Sequence, residues 1–588
     1  MPAHLAAPPV FALAIFLALA PSALAAEKPA NGVIAYAAKR ADTRAVYTRA
    51  PDGSALRVAP AQGKTAYPAF SPGGKRLAFT QYGPYGAQVW VTYLDGVGLR
   101  PLTAGPTDTM PEWSPDGTSV AFVRGAPGAR DIYTTLADGT DVRRLTYSRR
   151  DDEAPTWAST GRLAFVRHGA TVDRIYTVTA TGGIATPLLR DGVNQGSPAW
   201  SPTGRTLVFA KGEPGRRDLY VVRSDGSGER RLTRVRGDET EPTWSPDGKR
   251  IAFTYRRAGK RAIYVIKPRG KAVRRLPSRS FRVRRLTSTR SGAVSPTWQP
   301  IGLDPVVAAA GDIACDPADP EFNGGEGVPG QCRQRLTSDL LLRMDLSSIL
   351  VVGDEQYENG ELSAFMASFD RSWGRLKPLI RPVPGNHEYA VPGAVGYFDY
   401  FNGLGAQNGP AGDRTRGYYS FEVGTWHIVG LNSECEQVGG CDEGSPQLAW
   451  LRADLAAHPA QCTLAFLHRP RFTSGRFSDG QTDVLPLYQA LYDANADLIL
   501  AGHEHFYERF APQDPVGNAD PQRGIRQLTV GMGGKGRTGF VAPAPNSEIR
   551  DNRTTGVAAV TLREGSYDWR LVQAPSGRSA DIGSGACH

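Results

Sequence analysis

Five short motifs carry side chains able to hold a metal ion. In chain order they are Gly311-Asp312, Gly353-Asp354-Glu355-Gln356-Tyr357, Gly385-Asn386-His387-Glu388, the isolated His468, and Gly502-His503-Glu504-His505. Carboxylate, amide, phenol and imidazole are hard or borderline donors, suited to Fe, Zn or Mn rather than Cu(I). Taken singly, a Gly-Asp is a turn and a histidine is a core or surface residue. Five such motifs in succession, each after an apolar run, point to one metal-dependent site. Four of the nine histidines fall within them; His427, His458 and the rest are read as structural or surface residues.

The elements that position these motifs follow an α/β pattern. Expected strands are Val306–Ala310, Ile349–Val352, Ile380–Pro384, Thr463–Leu467 and Leu498–Leu500, each ending in one motif. Expected helices are Arg333–Met344, Ser363–Leu376, Pro446–Ala457 and Val484–Ala494. Ligands of open α/β sheets gather outside the carboxyl ends of the strands, so the five ends define one rim. Two closing strands, Val557–Leu562 and Tyr567–Val572, are expected to complete the second sheet of a four-layer α/β/β/α sandwich. The Gly531-Met532-Gly533-Gly534 run lacks the Lys-Ser/Thr and the helix that a phosphate loop requires.

The order GDxA, GDxxY, GNHE, strand-end His and GHxH resembles the calcineurin-like metallophosphoesterases, and within them the purple acid phosphatases, over about residues 305–585. The resemblance implies that Asp312, Asp354, Tyr357 and His505 hold one metal. Asp354, Asn386, His468 and His503 would hold the second, with Asp354 bridging. Many members of the wider family carry Asp-x-His in the first motif. Here that histidine is replaced by Ala314, and Tyr357 stands as the substitute ligand. A phenolate favours Fe(III), with Zn(II), Fe(II) or Mn(II) as its neighbour. The metal charge would exceed that of Asp312, Asp354 and the phenolate, attracting phosphate and acidifying a water.

The implied reaction is phosphomonoester hydrolysis by in-line attack of metal-bound hydroxide. His387 is the candidate proton donor or transition-state stabiliser, with orientation of Asp354 as its alternative role. Asn386 and His387 would contact substrate, and Arg416 and Arg469 are further candidates. Glu504 points away from the ligand pair by strand-like alternation. Two rival functions stay open: a phosphodiesterase or nucleotidase on the same metals, and a propeller-based binding protein with an inert phosphoesterase fold.

The first half carries a repeat. Phe70, Trp113, Trp157, Trp200, Trp244 and Trp298 recur in a Pro-x-Trp-Ser-Pro-Asp-Gly context, spaced by 43, 44, 43, 44 and 54 residues. Each is followed by short strands and an Asp-Gly-type turn, which describes propeller blades. The last copy lacks its following strand, and Gly32–Tyr36 is such a strand without its Pro-x-Trp. Joining the two gives six blades and hides the sheet edges. The repeat resembles the TolB-type, WD40-like propeller over about residues 30–300. The two resemblances imply an all-β six-bladed propeller, residues 27–300, followed by an α/β metallophosphoesterase domain, residues 301–588. Its Trp and Pro residues are read as packing and turn residues.

Composition agrees with two units of different character. The 588 residues are 40% hydrophobic and 21% charged, which excludes a wholly disordered chain. Lys and Arg exceed Asp and Glu by 22 in residues 1–300, whereas the acids lead by 12 in residues 301–588. Residues 251–300 hold 14 basic and no acidic side chains, among them Arg274, Arg275, Arg282, Arg284 and Arg285. This stretch is either a solvated loop or a dock for a polyanion or cell-envelope polymer. The apolar run Val10–Ala20 and the Ala23-x-Ala25 pattern read as a secretory leader over 1–26. No later segment is apolar for long enough to span a bilayer, and the oligomeric state is left open. All six cysteines lie in the acidic half, and export favours disulfides, with Cys435–Cys441 and Cys315–Cys332 as candidate pairs.

Overall fold

A computed structural model describes residues 30–588 except 41–42, 50–54, 59–62, 95, 97, 269–271, 274–282, 290–291, 302–303 and 478–481. The expected leader and Arg274, Arg275 and Arg282 lie outside the described residues. Arg284 and Arg285 are exposed on the short strand Val283–Arg285.

Six four-stranded antiparallel sheets form the propeller. One of them joins the strand Val294–Ile301 to Ala30–Arg40, the expected ring closure. The repeat has a local cause. In every innermost strand the residue before Pro-x-Trp or Pro-x-Phe takes a left-handed conformation: Tyr67, Met110, Ala154, Ser197, Glu241 and Ser295 have φ between 48° and 53°. The pairing register shifts at each of these points, as between Ala66 and Ala69 or Thr240 and Thr243. A bulge is where a strand can accept proline, which has no N–H for the ladder. The repeated indoles are partly or fully buried, and the indole N–H groups of Trp113, Trp157, Trp200, Trp244 and Trp298 make no hydrogen bond. That agrees with packing roles.

The second half has four layers. The first sheet runs in the order Ile380–Val383, Ser348–Val352, Val306–Ala310, Gly556–Arg563, Ser566–Gln573, Ser579–Ala586. The closing hairpin therefore extends the first sheet and does not complete the second as expected: Gly556–Arg563 pairs antiparallel with Val306–Ala310. The strand Ser579–Ala586 was not foreseen. Its alternating Ser, Asp and Gly leave one face exposed and offer little hydrophobic signal. The second sheet holds seven strands, including Trp426–Gly430, Cys462–Leu467 and Leu498–Ala501 in parallel array.

Pleat alternation builds the layers. Val307, Ala309, Leu350 and Val352 face Leu464, Phe466, Leu498 and Leu500 between the sheets. Ala308, Ala310, Ile349 and Val351 face outward onto helical side chains such as Leu340, Phe365 and Phe401. The outer face of the second sheet packs on Leu448, Leu451, Leu487 and Leu491. Helix Pro446–Ala457 forms where expected, with Ser445 capping it by accepting from Leu448 N at 3.3 Å. The expected helix over 363–376 instead breaks at Ser368 into Leu362–Ala367 and Phe369–Ser372, then a 3-10 segment Trp373–Leu379 containing Pro378. Ser368 Oγ donates to Cys315 O at 2.7 Å and accepts from Gln334 Nε2 at 3.2 Å, so tertiary bonds hold the break. Three disulfides, Cys315–Cys332, Cys435–Cys441 and Cys462–Cys587, use all six cysteines.

The halves touch at the end of the helix Gln334–Leu342. Arg343 Nε pairs with Asp138 at 2.8 Å, Arg76 donates to Leu342 O at 2.8 Å, and Gly73 N donates to Asp345 at 2.6 Å. The start of the same helix adjoins the ligand rim, where Arg333 N donates to Gly534 O at 2.7 Å.

Inside the propeller, Glu239 is fully buried, and its Oε2 accepts from Thr233 Oγ1 at 2.7 Å while Oε1 has no partner. Burial raises its carboxyl from 4.5 to about 8. The folded state then binds more protons than the unfolded between those values, so stability falls as pH rises through that window. Melting temperature should drop between pH 5 and pH 8, and Glu239→Gln should lessen that dependence, Glu112 contributing in the same window. An unchanged slope in the variant would remove Glu239 as its source.

Candidate metal centre

The two sheets meet at one rim. The first sheet delivers Asp312, Asp354 and Asn386 from the ends of Val306–Ala310, Ser348–Val352 and Ile380–Val383. The second delivers His468, His503 and His505 from the ends of Cys462–Leu467 and Leu498–Ala501. Asp312, Asp354 and His503 have φ of 58°, 50° and 70°. Left-handed non-glycine residues cost of order 1–3 kcal/mol each and persist where surroundings hold them. Two glycines permit the close approach. A Cβ on Gly353 would stand 2.5 Å from His468 Nδ1, and one on Gly385 would stand 2.3 Å from Asp354 Oδ1.

Tyr357 Oη is the first hub. It lies 2.8 Å from Asp312 Oδ1, 2.9 Å from Asp354 Oδ2 and 3.1 Å from His505 Nε2. Tyr357, Asp312 and Asp354 are almost fully buried. One phenol proton cannot serve two carboxylates and an imidazole together. Burial, then Asp312 and Asp354, push the Tyr357 phenol well above its usual range. A phenolate here needs a cation in contact with it.

His468 is the second hub. Its Nδ1 donates to Val352 O at 2.9 Å, which turns Nε2 inward. Nε2 lies 3.1 Å from Asn386 Oδ1, 3.1 Å from His503 Nδ1 and 3.4 Å from Asp354 Oδ2. Asp354, His468 and His503 offer ligand atoms within 4.8 Å of one another. Burial opposes charge on His468, but Asp354 overrides it and holds the imidazole up to about 10. Burial and then His468 lower His503 to about 4. Burial raises Asp354, but His468 beside it holds the carboxyl below the usual range. With so few protons among these atoms, a bound cation would displace the His468 proton and use the freed lone pair. Asp354 belongs to both hubs. The donor set thus fits two ions, the Tyr357 hub supplying three oxygens and one nitrogen and the His468 hub two of each.

His387 sits over Tyr357, with ring centroids 4.2 Å apart, and its Nε2 is 3.8 Å from Asp354 Oδ2. Its Nδ1 donates to Glu358 O at 2.5 Å, and its backbone N–H donates to Asp354 Oδ1 at 3.0 Å. The backbone therefore orients Asp354, leaving Nε2 free to face the rim. Arg469 is held by Glu434 through Nε at 2.7 Å and Nη2 at 3.0 Å. Arg416 is exposed, and its carbonyl accepts from Asn432 Nδ2 at 3.0 Å. Glu504 is turned to Phe477 N at 2.8 Å and Thr473 Oγ1 at 3.3 Å, away from the hubs. His427 lies between Glu422 and Asp454 at 2.7 and 2.8 Å.

Glu388 was left without a role by the sequence. It is fully buried and accepts from Asp354 N at 3.0 Å, Gly385 N at 2.8 Å and Gln356 N at 3.1 Å. It braces two ligand-bearing loops at once. The signal was its place directly after Asn386-His387, where a surface carboxylate reads identically.

The fold is a six-bladed propeller joined to a four-layer α/β domain, and a part of each half matches a known family. Residues 26–186 and 154–282 match the TolB beta propeller domain family, and residues 334–507 match the calcineurin-like phosphoesterase family. The chain is similar to purple acid phosphatase 23 of Arabidopsis thaliana, 28% identical over 235 residues, covering 34% of this chain and 49% of that protein. It is also similar to purple acid phosphatase 22 of Arabidopsis thaliana, 33% identical over 149 residues, covering 23% and 32%. The chain spans about half or less of the length of these curated relatives. TolB from Acinetobacter baumannii is similar at 20% identity, with 46% of this chain and 66% of that one covered and a TM-score of 0.39.

Second-layer partners of metal ligands typically contribute 10- to 100-fold in affinity. Glu388→Gln should weaken metal binding by about that factor while circular dichroism stays unchanged. Metal titration giving the wild-type affinity would show that the brace is dispensable.

Proposed function

We propose that this chain is an exported, binuclear metal-dependent phosphatase acting on phosphomonoesters, with the propeller as a binding or targeting module. The observation that carries the reading is the pair of hubs sharing Asp354. Fe(III) suits the Tyr357 hub, and Zn(II), Fe(II) or Mn(II) suits the His468 hub. Such ions, when bound, would polarise a phosphate ester and acidify a water.

The residues divide the remaining work. Asp312, Asp354, Tyr357 and His505 hold the first ion, and Asp354, Asn386, His468 and His503 the second. Val352 O and Glu388 fix the orientation of His468 and Asp354. With Nδ1 committed to Glu358 O, protonated His387 presents Nε2–H toward the rim and can donate to the leaving oxygen. Three disulfides support an oxidising compartment, and no described helix is long and apolar enough to cross a membrane.

Leaving-group dependence tests the proton donor. His387→Ala should slow phenyl phosphate hydrolysis by about 10²-fold or more and spare p-nitrophenyl phosphate, whose phenolate leaves unaided. An equal loss on both esters would assign His387 to another role. Asp354→Ala should abolish turnover of either ester; full activity in that variant would end the binuclear reading.

A further inference from the structure

The phosphoesterase half contains a second cationic feature beside the rim. A cavity of about 840 Å³ is bounded by the segment around Arg333, the 549–555 segment, the 573–576 turn and Arg537. Four guanidinium groups line it, from Arg333, Arg537, Arg550 and Arg553, with Asp551 as the one carboxylate. Among the described residues none of the four is in an ion pair. Other arginines of this half differ: Arg343, Arg375, Arg414, Arg452, Arg509 and Arg563 each hold a carboxylate. In a half where acids outnumber bases by 12, four arginines around one cavity without an ion pair, of which only Arg537 acts on Asp551 at longer range, call for an anion.

Local bonds strengthen this. Asp551 is spent on its own loop, accepting from Arg553 N at 2.7 Å, Thr554 N at 3.0 Å and Thr554 Oγ1 at 2.5 Å. Arg333 Nε is buried without a partner. Arg537 reaches only Thr555 Oγ1 at 3.5 Å, and Arg550 reaches Ser547 Oγ at 2.7 Å. A fork of N–H donors matches phosphate oxygens in pairs, and the volume exceeds what one phosphate needs.

The cavity shares a wall with the metal centre. Lys535 N donates to Asp312 O at 2.9 Å, and His505 N donates to Thr538 Oγ1 at 3.1 Å. Between these two lies Arg537, and Asn552 of the cavity donates to Thr538 O at 3.3 Å. We propose that this cavity binds a multiply charged phosphate-class anion. The anion is either a distal phosphate of the substrate or a free phosphate compound acting on the adjoining site. The binding claim stands apart from the proposed catalysis; only the kinetic separation of the two sources rests on it.

The test uses the metal-loaded 588-residue chain and methylenediphosphonate, a probe that phosphatases do not consume. Calorimetry should give two classes of site in the wild type. Arg550→Gln/Arg553→Gln, both on exposed side chains, should lose one class or weaken it at least tenfold, with an unchanged melting temperature. A second variant, Arg333→Gln, should do the same. Kinetics then separate the sources. A raised KM for fructose 1,6-bisphosphate with an unchanged KM for phenyl phosphate identifies a distal-phosphate subsite. Loss of a methylenediphosphonate effect on phenyl phosphate turnover at constant KM identifies an effector site. Unchanged stoichiometry and affinity in both variants would overturn the assignment, whatever the kinetics. Should the chain hydrolyse neither ester, the binding result still decides it.

Discussion

Too few protons for too many lone pairs is the constraint on which the second half depends. Around Tyr357 Oη stand two buried carboxylates and an imidazole, with one phenol proton among them. Around His468 Nε2 stand an amide oxygen, a second imidazole and the shared carboxylate of Asp354. Burying such groups without compensating partners costs several kcal/mol. A pair of cations would resolve both deficits together. Lys535 is the one nearby ammonium, 5.0 Å from the Tyr357 ring, and it is already engaged by Asp319 and Glu358.

The scaffold reaches that arrangement by joining two sheets at their carboxyl edges. Neither sheet alone could assemble it, since one brings the carboxylates and the amide and the other the histidines. The cost is visible in the backbone: three candidate ligand positions sit in left-handed geometry, and two glycines stand where a methyl group would collide with a candidate ligand. Glu388 and Val352 O then remove the remaining freedom. The propeller contacts the far end of the helix that starts at this rim, so its placement leaves the rim's loops to the second half.

Much of this was legible in the sequence. A propeller blade needs one bulged inner strand, and the Pro-x-Trp unit that marks it recurs with nearly constant spacing, so the count of six followed directly. Strand-end motifs were readable because each sits after an apolar run at a sharp turn. What escaped had weaker local signals. Whether the closing hairpin pairs with the first or second sheet is a long-range choice that its own alternation does not encode. Ser368 breaks a helical pattern because of bonds to Cys315 and Gln334, distant in sequence. Glu388 looked like a polar neighbour of two ligands, and its three backbone donors come from two separate loops. The four cavity arginines are spread over 220 residues and were invisible as a group. Net charge was informative about two units of different character, yet silent about the site, whose attraction for anions would come from bound cations within an acidic half.

The central claim is that both hubs are metal sites. Elemental analysis of the 588-residue chain, saturated with iron and zinc and then dialysed, tests it most directly. The account predicts two ions per chain in the wild type and the loss of both sites' tight binding when Asp354, common to the two hubs, becomes alanine. A wild-type chain that retains no metal, or a variant that still holds two ions as tightly, would contradict it.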